Sequence, residues 1–185
     1  MLRAMLILFV LTLGRSWAAD VTTMQDPNSG LYSWKIVDRG FSLELIQLSP
    51  DFVRAVYAAR NLPPAMVEKM ASYCVFGTVA RNESDSPLYY RVADWRAVTP
   101  DGARRRLRTK TEWVAQWEKT GVDFGFSILP DKITFDVGDW AQGFTTVKLP
   151  HGSHFDLIYS WEQHGKTFTG KLPKLVCTAD APHAP

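Results

Sequence analysis

The residues of this chain best suited to chemistry are a pair of imidazoles, a run of cations and two cysteines. His151-Gly152-Ser153-His154 sets two imidazoles three apart in a turn, a spacing from which both can reach one ion. Asp156 follows and offers an oxygen ligand or an acceptor that would orient a ring. Met66 and Met70 stand one helical turn apart; their thioether sulfurs suit Cu(I), although the same spacing fits plain core filling. The densest charge is Arg104-Arg105-Arg106 with Arg108 and Lys110. On a strand, Arg104, Arg106, Arg108 and Lys110 project to one face, because side chains alternate. Trp113 and Trp117 come directly after, and a guanidinium beside an aromatic face is a common recognition pairing.

That grouping predicts a contact surface for an acidic protein surface, an anionic glycan or a lipid head group. The competing reading is a solvated strand whose charges deter edge-to-edge pairing. Hydrolase signatures are missing. There is no Gly-x-Ser-x-Gly elbow, no His-Glu-x-x-His, no phosphate-binding Gly-x-x-x-x-Gly-Lys and no Gly-x-Gly-x-x-Gly. A hydrolase with a dispersed site stays open, since paired carboxylates are a spatial feature. Cys74 and Cys177 read first as a disulfide, which removes them as nucleophiles. Asn82-Glu83-Ser84 fits the N-glycosylation acceptor pattern. Trp140, in the Gly-flanked stretch Asp139 to Gly143, reads either as an exposed platform or as a plug folded back on the domain.

The start of the chain sets the compartment. Arg3, an apolar run from Ala4 to Leu13 and the small-residue exit Ser16-Trp17-Ala18-Ala19 have the order of a cleavable secretory signal over residues 1–19. The run is about half of the roughly 20 apolar residues that a membrane span needs. Periplasmic or secreted location follows as the expectation, with no transmembrane segment left after cleavage. The formal net charge is +2, and Arg3 and Arg15 supply that excess, so the remainder is balanced. A balanced chain has no overall field to gather nucleic acid, which argues against such a partner.

These residues must be held by mostly β structure. Residues 20–34 read as a mobile polar leader. Trp34 to Leu48 is a hairpin or two short strands divided at Gly40. Ser49-Pro50-Asp51 starts a helix and Pro63-Pro64 a second, giving a helical pair at 50–73. From Val75 the period becomes two. Strands are predicted over Val75–Arg81, Leu88–Val98, Arg104–Arg108, Val122–Leu129, Ile133–Val137, Phe144–Leu149, Phe155–Trp161 and Thr167–Leu172, separated by Gly, Pro, Asn and Asp turns. Between them Thr111 caps a short helix, Glu112 to Lys119, stopped by Gly121. Residues 179–185 read as a loose tail.

The stretch Cys-Val-Phe-Gly-Thr-Val-Ala-Arg-Asn-Glu-Ser at 74–84 resembles an early strand of secreted immunoglobulin-like domains. The later run through Phe135, Gly138, Gly143, Leu149, Phe155 and Trp161 resembles their closing strands. The resemblance covers roughly residues 74–177 and implies an antiparallel β-sandwich, here a single domain at 35–178, with the helical pair and one inserted helix as departures. Many such exported domains are binding or accessory modules, but fold does not fix function. The expected function is therefore a soluble, exported, non-catalytic binding or accessory protein that needs no cofactor. It would meet an anionic partner through Arg104, Arg106, Arg108, Lys110, Trp113 and Trp117. The alternative is a copper- or zinc-handling protein using His151 and His154.

Overall fold

A computed structural model describes residues 20–121 and 125–180. The predicted signal, residues 1–19, lies outside them. The described chain is mainly β, with an antiparallel sheet of eleven strands and three helices. In chain order the elements are β1 (Asp20–Gln25), β2 (Tyr32–Asp38), β3 (Phe41–Gln47), α1 (Pro50–Ala58), α2 (Pro64–Ala71), β4 (Cys74–Asn82), β5 (Leu88–Arg91), β6 (Arg96–Val98), β7 (Arg104–Arg108), α3 (Lys110–Trp117), β8 (Lys132–Phe135), β9 (Trp140–Val147), β10 (His154–Gln163) and β11 (Lys166–Val176). The strands run β1-β2-β3-β4-β9-β7-β6-β10-β5-β8, and β11 also pairs with β10.

The hairpin expected around Gly40 is β2–β3. Gly40 takes a positive φ of 78°, and Ser84 lies so close that a Cβ there would sit 2.4 Å from its side chain. Only glycine can make that turn beneath that neighbour. The polar segment before it is not a leader: β1 pairs with β2 from Asp20↔Val37 to Gln25↔Tyr32. Alternation is weak there because β1 is exposed on nearly every side chain, so periodicity could not mark it. Ser49 caps α1 as its type demands, its hydroxyl accepting from the Phe52 N–H at 3.1 Å.

Three strand expectations change. Leu88–Val98 is broken by a single 3-10 turn, Val92–Asp94, which lets fully buried Trp95 enter the core between β5 and β6. Both pieces still pair with β10, at residues 161–163 and 156–158. Of the predicted strand Val122–Leu129, residues 125–127 form a 3-10 turn and Ile128 makes an isolated bridge to Phe144; residues 122–124 lie outside the described chain. β9 begins at Trp140, so the predicted loop there is strand.

Two cores hold the fold. The larger gathers Ile36, Phe41, Leu43, Phe76, Tyr90, Trp95, Tyr159 and Trp161 among others. Phe41 of β3 lies 5.3 Å from Trp161 and 5.8 Å from Tyr159 of β10, so distant parts of the sheet share one interior. The second core lies under the helices and contains Val53, Tyr57, Met70, Val75, Trp113 and Trp117. Val75 and Phe76 are consecutive and enter different cores, which is why β4 opens as a continuous apolar run. The Cys74–Cys177 disulfide joins the start of β4 to the residue after β11, across 103 positions.

Candidate functional site

The basic run does form β7, and every residue of it has a pairing partner. Arg104, Arg105 and Arg106 pair with β6, whereas Leu107 and Arg108 pair with β9. β7 therefore passes from one half of the sheet to the other, which a simple free edge does not do. Leu107 drops into the large core and fixes the strand's register.

The helix that follows is anchored two residues earlier than its sequence first suggests. Thr109, not Thr111, is the cap. Its hydroxyl accepts from the Glu112 N–H at 3.3 Å, and the Glu112 carboxylate accepts from the Thr109 N–H at 3.0 Å. The Thr-x-x-Glu spacing of this capping box was present in the sequence. The Asp131 carboxylate accepts from the Lys110 and Thr111 N–H groups at the same helix end. Lys110 is thus the first residue of α3 and not the last cation of a strand row.

Trp113 and Trp117 are fully buried and stack on each other at 5.7 Å in the second core. This corrects their expected role as contact anchors: no face of either ring is left for a partner. The Trp113 indole N–H donates to the Thr146 hydroxyl at 2.9 Å, tying α3 to β9. What Trp113 does offer is a seat for Arg108, whose guanidinium carbon lies 3.8 Å from the ring centre.

Around β7 the structure opens two clefts that meet at Arg105 and Lys148. The inner one, about 430 Å³, is lined by Tyr73, Arg105, Arg106, Arg108, Glu112 and Lys148. The outer one, about 690 Å³, has Pro100, Ala103, Leu149 and Pro150 along its walls, with Asp101 and His154 among its polar groups. In the inner cleft Arg106 grips Glu112 through two bonds of 2.6 and 2.7 Å. Those bonds, with the Thr109 N–H, push the Glu112 carboxyl down to about 2. The one acid of this cleft is therefore charged and already neutralised.

Arg108 and Lys148 have neutral acceptors only. Half-buried Arg108 donates to the Glu112 carbonyl at 3.1 Å, to Gln116 Oε1 at 2.7 Å and to the Tyr73 hydroxyl at 3.4 Å. Lys148 Nζ donates to the Ser72 carbonyl and hydroxyl at 2.7 and 2.8 Å, above the Tyr73 ring. Among the described residues Arg104, Arg105, Arg108 and Lys148 form no ion pair. Exposed Arg104 points to no cleft wall, while Arg105, of the opposite strand parity, lines both clefts. Arg105 was thus missed by counting alternate residues, and Tyr73 and Lys148, on other segments, by reading the basic strand alone.

The histidine pair is not brought together as a metal site. His151 Nδ1 lies 2.9 Å from the Thr178 carbonyl and Nε2 lies 3.0 Å from the Ala71 carbonyl, so both ring nitrogens face backbone oxygens. His154 is exposed at the start of β10, and Asp156 is occupied by Lys171 at 2.6 Å and the Lys174 N–H at 2.9 Å. Among the described residues no three of His, Cys, Asp or Glu gather as metal ligands. Met70 is fully buried in the second core, and Met66 sulfur accepts from Gln116 at 2.8 Å.

Two further sequence features resolve. Asn82 is 1% exposed, and its amide nitrogen donates to the Ser86, Phe135 and Asp136 carbonyls, so the folded chain presents no free amide for a glycan. Trp140 is 52% exposed at the head of β9, with the Arg81 guanidinium 5.2 Å from its ring centre. Among the described residues no helix is long and apolar enough to cross a membrane.

No known protein family matches the chain, and no curated protein is significantly similar to it. One solved structure, a candidate lipoprotein (ycdA) from Bacillus subtilis subsp. subtilis, is similar at 10% identity and a TM-score of 0.38, over 85% of this chain. The chain spans about a third of that protein, 35% of its length, and a likeness at this level says nothing about activity.

Proposed function

We propose that this chain is an exported, non-catalytic binding or accessory protein that meets an anionic partner at the clefts beside β7. The observation that carries the reading is the inner cleft, where Arg105, Arg108 and Lys148 have no carboxylate partner and Glu112 is already bound by Arg106. Cations held this way beside aromatic rings gain more from an incoming anion than do exposed ones already paired. Export is supported by the signal-like order of residues 1–19 and by the Cys74–Cys177 disulfide, a bond that persists in oxidising compartments. Within the mainly β class, we favour an immunoglobulin-like sandwich, because β3 and β10 face each other across a shared core and β7 crosses between the halves.

The test is charge reversal. Arg105→Glu with Lys148→Glu should leave folding within about 0.5 kcal/mol, as exposed charge changes usually do. Wild type should be retained on a sulfated-polysaccharide resin and elute with salt, and the double variant should pass through. Equal retention of both proteins would remove the clefts as the binding surface.

A further inference from the structure

We infer that the two clefts hold one organic phosphate monoester, its phosphate in the inner cleft and its less polar body along the outer one. The inference rests on the anion-binding reading above and names the ligand class. Arg105, Arg108 and Lys148 line the inner cleft without forming an ion pair, and its one carboxylate, Glu112, is already bound by Arg106, which suits a dianion better than a single carboxylate. They also come from different positions in the fold. Arg105 comes from β7, Arg108 from the end of the same strand against α3, and Lys148 from the residue after β9. A tetrahedral oxyanion offers three oxygens to cations so distributed, whereas a planar carboxylate presents only two. Tyr73 lines the same cleft, its ring 5.0 Å from Lys148 Nζ and 5.9 Å from the Arg108 guanidinium carbon, so both cations are held in place before a ligand arrives.

The outer cleft sets the ligand's direction. Its Asp101 carboxylate accepts from the Thr99 hydroxyl and the Ala103 N–H, which hold its pKa below the usual carboxylate range and keep it charged. A phosphate is repelled from that end and drawn past Arg105 to the inner cleft. Pro100, Ala103, Leu149 and Pro150 then meet the body of the ligand with apolar surface. Either a lipid head group or a free phosphate ester presents this chemistry.

Isothermal titration of the disulfide-intact chain tests it with three probes: monodispersed dihexanoyl phosphatidic acid, glycerol phosphate and inorganic phosphate. Dihexanoyl phosphatidylcholine is the control without a monoester. The phosphatidic acid should bind at least about tenfold more tightly than inorganic phosphate, and the choline lipid not at all. Arg105→Gln and Lys148→Gln should each weaken it roughly tenfold or more, as loss of a charge-assisted hydrogen bond does. Ala103→Gln should erase the advantage of the lipid over inorganic phosphate. Tight glycerol phosphate binding identifies a free ester; preference for the lipid identifies a head group. Equal binding of lipid and inorganic phosphate would overturn the two-part ligand. Failure of all the phosphates, with retention on the sulfated resin intact, would overturn this inference and leave the proposed function standing. Failure on the resin as well would remove both.

Discussion

Arg108 and Trp113 show how a single contact can redirect a functional reading. A guanidinium placed 3.8 Å from an indole centre needs that indole fixed, and Trp113 is fixed by burial and by its bond to Thr146. The tryptophans are therefore the support of the basic cleft and not its contact face. Trp117, fully buried beside Trp113 and 5.7 Å from Tyr57, belongs to the same support. Trp117→Ala should destabilise the chain by roughly 3–5 kcal/mol, the usual cost of emptying so large a core site. That is a large share of the about 5–15 kcal/mol that a domain has in total. Denaturant unfolding checks it, and a loss below about 1 kcal/mol would mean that the ring is not core. Close packing decides other residues too. A Cβ on Gly170 would fall 2.3 Å from the Tyr159 ring, so β11 can cross that aromatic only at glycine.

At the scale of elements, β7 and α3 work as one unit. The Thr109–Glu112 capping box starts the helix, and Arg106 binds the same carboxylate from the strand, so helix initiation and strand position are coupled through Glu112. The sign of the pH dependence follows. The Glu112 carboxyl is pushed down from its ordinary value of 4.5 to about 2, first by the Arg106 hydrogen bonds. Its contribution is fully present above pH 4.5 and is lost as pH falls through the folded value of about 2. Glu112→Gln should lower Tm at neutral pH and flatten the acid limb of a Tm-against-pH curve across that window. A variant whose acid limb overlays wild type would show that the pair is not coupled to folding. The helical pair is tied down in a comparable way. Arg54 on α1 reaches Asp51, Glu68 of α2 and Asp180 beyond the last strand, each within 3.1 Å. The expected loose tail is therefore held at Asp180, and residues 181–185 lie outside the described chain.

At the scale of the whole molecule, the Cys74–Cys177 bond closes most of the described sheet into one loop, from the head of β4 to the end of β11. In the chain-entropy account, a loop of about 100 residues removes roughly 4.7 kcal/mol of unfolded-state freedom. Reduction should therefore lower Tm by on the order of 10 °C for a chain of this length, read by calorimetry with and without reductant. A shift of only about a degree would mean that the loop ends are held by the remaining contacts alone. His151 lies at this junction, between the carbonyls of Ala71 on α2 and Thr178 just past the bridge. Its ring joins the helical layer to the closing strand, a structural use for a residue whose motif suggested a ligand.

Local chemistry determined the local elements. Ser49-Pro50 fixed the start of α1, Pro63-Pro64 the start of α2, and Gly40 the β2–β3 turn, because caps, ring-locked φ and positive φ are set by neighbouring atoms. The period-two runs marked β4, β7, β10 and β11, and the presence of two cysteines was enough to pair them. Long-range pairing decided the rest. Tyr73, Arg105 and Lys148 are far apart in sequence and meet only because β4 pairs with β9, and β9 with β7. Whether Trp113 faces solvent or core depends on what α3 lies against, and whether Arg104 or Arg105 reaches a cleft depends on the crossing of β7 between the two halves. Such facts are set by contacts between distant segments, which no periodicity along the chain encodes.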